Sequence, residues 1–346
     1  MKIILIADDL TGALDASVAF AARGMSVLCA CTPEAVGRAI THDPEVVAVS
    51  TNSRDLEETQ AVARLTAVLE RARLIPHWRD VIVFKKVDSR LKGHMIAEMG
   101  VLAQHRPDAL ICPAIPRLGR FVRNGAVCGT GVSEPIPVAS KIGVRGAGTI
   151  LDAARQEDLD AAVATADLST LFVGAAGLAE ALARRVAGRS GSVPPPHAAA
   201  PALLVIGSRD PVTLVQLKGF DPVLAPNGVV PALPCDTAPI LMVQMSPGKE
   251  PVTPELAGKT FAEGIRALLM RRKPATLLVC GGESAAAVLR ELNCTLVEVA
   301  GEILPGLPVS RMIDGRPGLT LITKSGGFGM PDTLHEVARK LVATTG

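Results

Sequence analysis

Short apolar runs alternate along this chain with longer stretches of helical periodicity, and that alternation narrows the fold more than any other feature. Runs rich in Val, Ile and Leu predict strands near 2–7, 26–30, 46–50, 81–87, 109–113 and 170–173. A second set falls near 202–206, 240–244, 275–280, 296–299 and 319–323. Between them, a 3.6-residue period predicts helices over 12–23, 57–73, 95–105, 175–186, 255–272, 284–292 and 333–343. Strands and helices in alternation build parallel sheets with helices on their faces, and several of these strands are apolar throughout, as burial on both faces requires. The expected class is α/β, in two domains, each a mainly parallel sheet flanked by helices, with the active site in the interdomain cleft.

Length supports two domains: 346 residues at roughly 150 per domain is about two cores. The stretch 188–201, with the triplet Pro194, Pro195 and Pro196, reads as a stiff connector. The expected division is 1–190, a linker at 191–201, and 202–346. Residues 125–148 are rich in Gly and Pro without periodicity and read as a long loop or lid.

Charge excludes several function classes. Thirty-six Lys and Arg face 34 Asp and Glu, a net charge of +2, and neither end carries a charged tail. Broad phosphate-backbone binding is therefore not expected. One Trp and no Tyr leave no stacking platform for bases, so no nucleic acid partner is expected. No apolar run approaches the ~20 residues of a membrane span, and residues 3–7 are too short for a signal-peptide core. Seven scattered cysteines without a CxxC pair argue against a disulfide framework or zinc site and for a reducing cytoplasm.

Ligands of parallel sheets collect outside the carboxyl ends of the strands, and in the first half those ends are crowded with charge. The first strand runs into Asp8, Asp9 and Thr11; a helix cap explains one of these, not two adjacent carboxylates. The third runs into Thr51, Asn52, Ser53 and Arg54. The fourth gives Lys85, Lys86, Asp88, Arg90 and Lys92, with Lys86 and Asp88 on one face by period-two alternation. The fifth ends in a two-proline exit that aims Arg117 or Arg120. Arg and Lys suit a carboxylate and Asp suits hydroxyls, so these ends predict a pocket for a small anionic, hydroxylated ligand. The second half differs: its strand ends are Gly207-Ser208, Gly281-Gly282-Glu283-Ser284 and Lys324-Ser325-Gly326-Gly327. Small residues at helix starts let backbone N–H groups approach phosphates. The Walker A spacing fails at Thr253, and no GxGxxG follows a strand.

In combination these motifs resemble the four-carbon acid sugar kinase family. ADDLTGALD, TNSR, KKVDSRLKG, PAIPRLGR and LFVGAAGLAEALA are similar to its sugar-acid-binding domain; GSRDPVTLVQL, CGGESAAAVL, EILPGLPVS and ITKSGGFG are similar to its nucleotide-binding domain. The resemblance implies an ATP-dependent, Mg²⁺-assisted kinase acting on the 4-hydroxyl of D-threonate, D-erythronate or a 3-oxo-tetronate. It implies substrate binding by Asp8, Asp9, Arg54, Lys86, Asp88 and Arg120, with Asp9, Asp88 and Lys86 catalytic. ATP binding would fall to Ser208, Gly281, Gly282, Glu283, Ser284, Gly326 and Gly327, with no protein metal cluster. Partners are the acid and ATP, and a homo-oligomer stays open. The chain departs from the family at Arg90, Lys92 and His94, which replace Thr, Arg and Asn, at GGES for GGDT, and in a shortened region between Gly129 and Thr149. Those departures keep a second reading open, a degenerate sugar-acid-binding or regulatory protein. A third, a nicotinamide dehydrogenase of hydroxy acids, lacks its fingerprint.

Overall fold

Strand β1 (Ile3–Ala7) is buried along its whole length, as a central strand covered on both faces must be. The computed structural model describes residues 1–143, 148–187, 197–233 and 238–343, and the chain divides into units Met1–Val193 and Pro194–Gly346. The proposed linker lies largely at 191–196, outside the described residues.

In the first unit β1 is followed by α1 (Leu10–Ala21), β2 (Val27–Ala30), α2 (Val36–Thr41), β3 (Val46–Ser50), α3 (Glu58–Ala72) and β4 (Ile82–Lys86). Then come α4 (Met95–Leu102), β5 (Ala109–Cys112), β6 (Arg120–Arg123), β7 (Ala126–Gly129), β8 (Ile136–Pro137), α5 (Val138–Ile142) and β9 (Thr149–Ile150). Helix α6 (Gln156–Thr165), β10 (Leu171–Gly174) and α7 (Ala176–Ala187) complete it. The sheet order is β2-β3-β1-β4-β10-β5-β9, and every pairing is parallel. Helix α1 packs on α7, and α3 on α4, to cover it. Strand order reverses at β1, which lies between β3 and β4, so the crevice at its carboxyl end is the natural ligand position.

The second unit contains β11 (Ala202–Ile206), α8 (Pro211–Gln216), β12 (Val223–Pro226), β13 (Ile240–Ser246), α9 (Pro254–Arg272), β14 (Thr276–Cys280) and α10 (Gly282–Glu291). Strands β15 (Leu296–Leu304), β16 (Leu307–Met312) and β17 (Thr320–Lys324) and helix α11 (Thr333–Ala343) follow. Its order is β12-β13-β11-β14-β17-β16-β15. The first five strands are parallel, whereas β16 runs antiparallel to both neighbours. A core of Leu204, Ile206, Leu278, Ile322, Leu334 and Val337 joins this sheet to α11.

The expected strands and helices are all present to within a few residues. The structure corrects the reading of 125–148 as loop. Strands β7 and β8 and helix α5 lie there, and β6, β7 and β8 form a separate antiparallel sheet; residues 144–147 are outside the described set. Among the described residues no helix is long and apolar enough to cross a membrane.

Candidate active site

Register explains why distant motifs meet. Ala7 pairs with Ser50 on one side and with Lys86 on the other, so β1, β3 and β4 end level. Asp8 and Asp9 leave the first, Thr51–Arg54 the second, and Lys86 closes the third. The Ser53 N–H donates to the Asp8 carbonyl at 2.9 Å, folding the β3 exit back over the β1 exit. Asp9 caps α1: its Oδ1 accepts from the Gly12 N–H and its Oδ2 from the Thr11 hydroxyl, each at 2.9 Å. Arg54 then binds both carboxylates. Its Nε and Nη2 donate to the two Asp8 oxygens at 2.8 Å, and its Nη1 donates to Asp9 Oδ2 at 2.9 Å.

The two acids differ in access. Asp8 is 1% exposed, whereas the Asp9 side chain keeps 20%. Burial alone pushes the Asp8 carboxyl up; the bidentate Arg54 contact, with the charges of Arg54, Lys85 and Lys86, outweighs it and holds the group below its ordinary range. Arg54 is desolvated too, yet its carboxylate partners fix its charge more firmly than in water. Gly93, at φ +94°, closes the turn above them: a Cβ there would lie 2.9 Å from Asp8 Oδ2.

Lys86 lies 5% exposed and donates to the Val87 carbonyl at 2.9 Å. Its ammonium sits beside the start of α1, 3.3 Å from where a Cβ on Gly12 would stand. Its neighbour Lys85 points to the other side of the strand and forms a 2.8 Å ion pair with Glu98 of α4, both fully buried. Sequence reading grouped Lys85 with the cations of the anion pocket and passed over Glu98, its actual partner. The signal for Glu98 was a lone acid in an otherwise apolar helix.

The other first-unit candidates take different places. Strand β4 ends at Lys86, so Asp88 does not continue its face as alternation suggested. Instead Asp88 Oδ1 accepts the Arg90 N–H at 2.8 Å and shapes the turn. Arg120 donates to the Thr130 carbonyl at 3.0 and 2.9 Å and to the Ser89 hydroxyl, tying the β6–β7 hairpin to that turn. Arg117 reaches Asp15 of α1 at 3.4 Å. Burial pushes the Asp15 carboxyl up, against the charges of Arg117 and Lys86. His94 turns its Nε2 to the Leu56 carbonyl at 2.6 Å.

In the second unit Ile206 pairs with Cys280, and Cys280 with Lys324, so β11, β14 and β17 also end level. Gly207 and Ser208 donate to the Cys280 carbonyl at 3.0 and 3.1 Å, and Gly281 donates to the Lys324 carbonyl at 2.9 Å. Gly281, at φ +112°, turns the chain into α10, whose first residues are Gly282, exposed Glu283 and buried Ser284. Side chains are excluded here: a Cβ on Gly207 would stand 1.8 Å from Ser284 Oγ, and one on Gly326 2.2 Å from Ser208 Oγ. Gly207→Ala is therefore expected to cost about 1–3 kcal/mol by overpacking, read as a lowered denaturant midpoint. Gly327 adjoins Asp210, whose Oδ1 accepts the Val212 N–H at 2.9 Å. Lys324, absent from the sequence-derived site, ends β17 fully buried. Among the described residues no three His, Cys, Asp or Glu side chains cluster to hold a metal.

Comparison with known proteins agrees with this division. Residues 3–141 match the model of a sugar-binding N-terminal domain, and residues 244–334 that of a nucleotide-binding C-terminal domain. A D-threonate kinase of Bordetella bronchiseptica is 28% identical, over 97% of this chain and 96% of its own. A 3-oxo-tetronate kinase of Methylobacterium radiotolerans is 30% identical, over 94% and 96% respectively. The latter alignment spans 418 positions against 346 residues here, so that relative carries segments this chain lacks. The fold is that of a solved Salmonella typhimurium LT2 protein, TM-score 0.70 at 17% identity over 98% of this chain and 99% of that one. A Haemophilus influenzae protein has it too, at TM-score 0.67 and 17% identity over 98% and 100%. Two matched domains and full-length relatives together establish that the chain belongs to the four-carbon acid sugar kinase family.

Proposed function

We propose that this protein transfers the γ-phosphoryl group of ATP to the 4-hydroxyl of a four-carbon acid sugar, with D-threonate, D-erythronate and 3-oxo-tetronates as the candidate acceptors. The observation that carries the reading is the Asp8–Arg54–Asp9 cluster beside Lys86, four charged groups gathered at the ends of three adjacent strands. Phosphoryl transfer asks little covalent work of a protein; positioning and charge do most of it. Lys86 and the cationic face of Arg54 attract the acid's carboxylate. Asp8 spends both oxygens on Arg54 and acts through it, while Asp9 keeps the exposure to accept the 4-hydroxyl proton. Asp88, on the neighbouring turn, is the competing base.

The second unit suits a nucleotide because its turns leave no room for a Cβ and present backbone N–H groups instead. Ser208, Gly281 to Ser284, Gly326 and Gly327 would hold the phosphates. ATP supplies the activated phosphoryl group, with Mg²⁺ offsetting its charge. Asp210 and Glu283 are the acids of these turns that would help hold that ion, which would offset the charge of the phosphates.

The missing segments relative to the Methylobacterium enzyme favour one other reading, an acid-binding protein without turnover. ADP release from Mg-ATP, measured with D-threonate, L-threonate, D-erythronate and 3-oxo-tetronates beside an acid-free control, separates the two. Release with one acid is expected and identifies the substrate. Saturable acid binding with no release on any of them would instead support the binding-only reading.

A further inference from the structure

Lys324 is a buried ammonium, and among the described residues no carboxylate is in contact with it. Its Nζ donates to the Ser325 carbonyl at 3.1 Å, the Gly326 carbonyl at 3.3 Å and the Thr213 hydroxyl at 3.3 Å, with Cys280 Sγ at 3.8 Å. The Thr213 hydroxyl in turn donates to the Gly326 carbonyl at 2.7 Å. Burial pushes the lysine's pKa down, and the fields of Cys280 and Asp210 recover part of the loss. A cation is costly in such a place unless the fold uses it.

Its use follows from peptide geometry. The only cis peptide among the described residues is Ala200–Pro201, so the Ser325–Gly326 and Gly326–Gly327 bonds are trans. In a trans peptide the N–H points opposite to the C=O. Drawing the Ser325 and Gly326 carbonyls inward therefore turns the Gly326 and Gly327 N–H groups outward. Among the described residues no acceptor takes either N–H. Two successive N–H groups facing one way form an anion-binding concavity. Asp210 lies beside it, with Oδ2 3.3 Å from where a Cβ on Gly327 would stand. Without Lys324 the local charge behind that concavity would be negative.

We infer that Lys324, seconded by Thr213, is a positioning residue for the nucleotide: it fixes the Ser325–Gly327 turn in its anion-accepting orientation and supplies the positive charge behind it. This rests on the nucleotide-binding reading of the second unit. The test is calorimetric titration of the full-length protein with Mg-ADP, together with KM for ATP and for the acid. Lys324→Met is expected to weaken Mg-ADP binding about tenfold or more, and Thr213→Val about threefold, while Thr213→Ser stays within about twofold of the unaltered protein. KM for the acid should not move, which separates positioning from general damage to the fold. Equal Mg-ADP affinity in folded Lys324→Met and the unaltered protein overturns the inference. Should Lys324→Met fail to fold, Thr213→Val decides alone: unaltered affinity there overturns it. No Mg-ADP binding by the unaltered protein removes the nucleotide reading and this inference together.

Discussion

Asparagine at position 9 is expected to lower kcat by a factor of about 10²–10⁴, the usual contribution of a positioned general base, while leaving the fold in place. The separation is possible because the proposed base, Asp9, would add a second job to its capping role, and asparagine divides the two cleanly. As the cap of α1 it accepts from Gly12 and Thr11, and asparagine caps as well as aspartate. As a carboxylate it alone can take a proton from an acceptor hydroxyl. Arg54 loses one contact but retains its bidentate hold on Asp8, so the stability cost should stay near about 1 kcal/mol. Paired measurements of kcat by ADP release and of the urea midpoint decide the matter. A large loss in Asp88→Asn with Asp9→Asn nearly normal would move the base to Asp88. Near-normal turnover in both would remove the carboxylate-base mechanism.

That so much of this site could be read without coordinates has a physical cause. In a parallel sheet every strand delivers its next residue to the same edge, so Asp8, Arg54 and Lys86 could be grouped from strand ends alone. What could not be read were choices of face and partner. Lys85 and Lys86 are adjacent cations at the end of one strand, and nothing in their order says that the first enters the interior to meet Glu98 and the second joins the site. Asp15 sits in the same motif as Asp8 and Asp9, yet it is buried within the field of Lys86 and finds Arg117 from a segment over a hundred residues away. Lys324 reads as the polar end of an apolar strand; only the inward carbonyls of the next turn reveal its work. The β6–β7–β8 sheet was hidden by brevity, since β8 is two residues long and β7 is bracketed by glycines. Strand β16 had a readable signal that was passed over: Pro305-Gly306 joins Leu304 to its partner Leu307 as a two-residue turn, with Gly306 at φ +80°.

The largest stability effect belongs to Arg54. Replacing it with methionine keeps much of the side chain's volume but strips Asp8 of its partner inside the protein, and breaking a buried pair from one side costs about 3–5 kcal/mol. The residual charges of Lys85 and Lys86, which also act on Asp8, place the expected value toward the lower end. The loss should depend on pH, and its sign follows from linkage. In the unaltered protein the Asp8 carboxyl titrates below its ordinary value of 3.8, so its stabilisation is present above that value and fades as pH falls through the folded pKa. In Arg54→Met the main opposing contact is gone and burial dominates, pushing the carboxyl up. Stability in the variant is then retained at acid pH and lost as pH rises from the unfolded value toward the raised one. The gap between the two proteins should accordingly be widest at neutral pH and narrow toward pH 4. Guanidinium unfolding at pH 7.5, 6 and 4.5 measures it, and Asp8→Asn in the Arg54→Met background should close most of the neutral-pH gap by removing the stranded charge. A deficit that stays constant with pH would show that Arg54 contributes packing rather than charge. On the proposed function turnover should fall in Arg54→Met even at acid pH, because the fold can recover by protonating Asp8 whereas an acid acceptor would still lack the Arg54 cation.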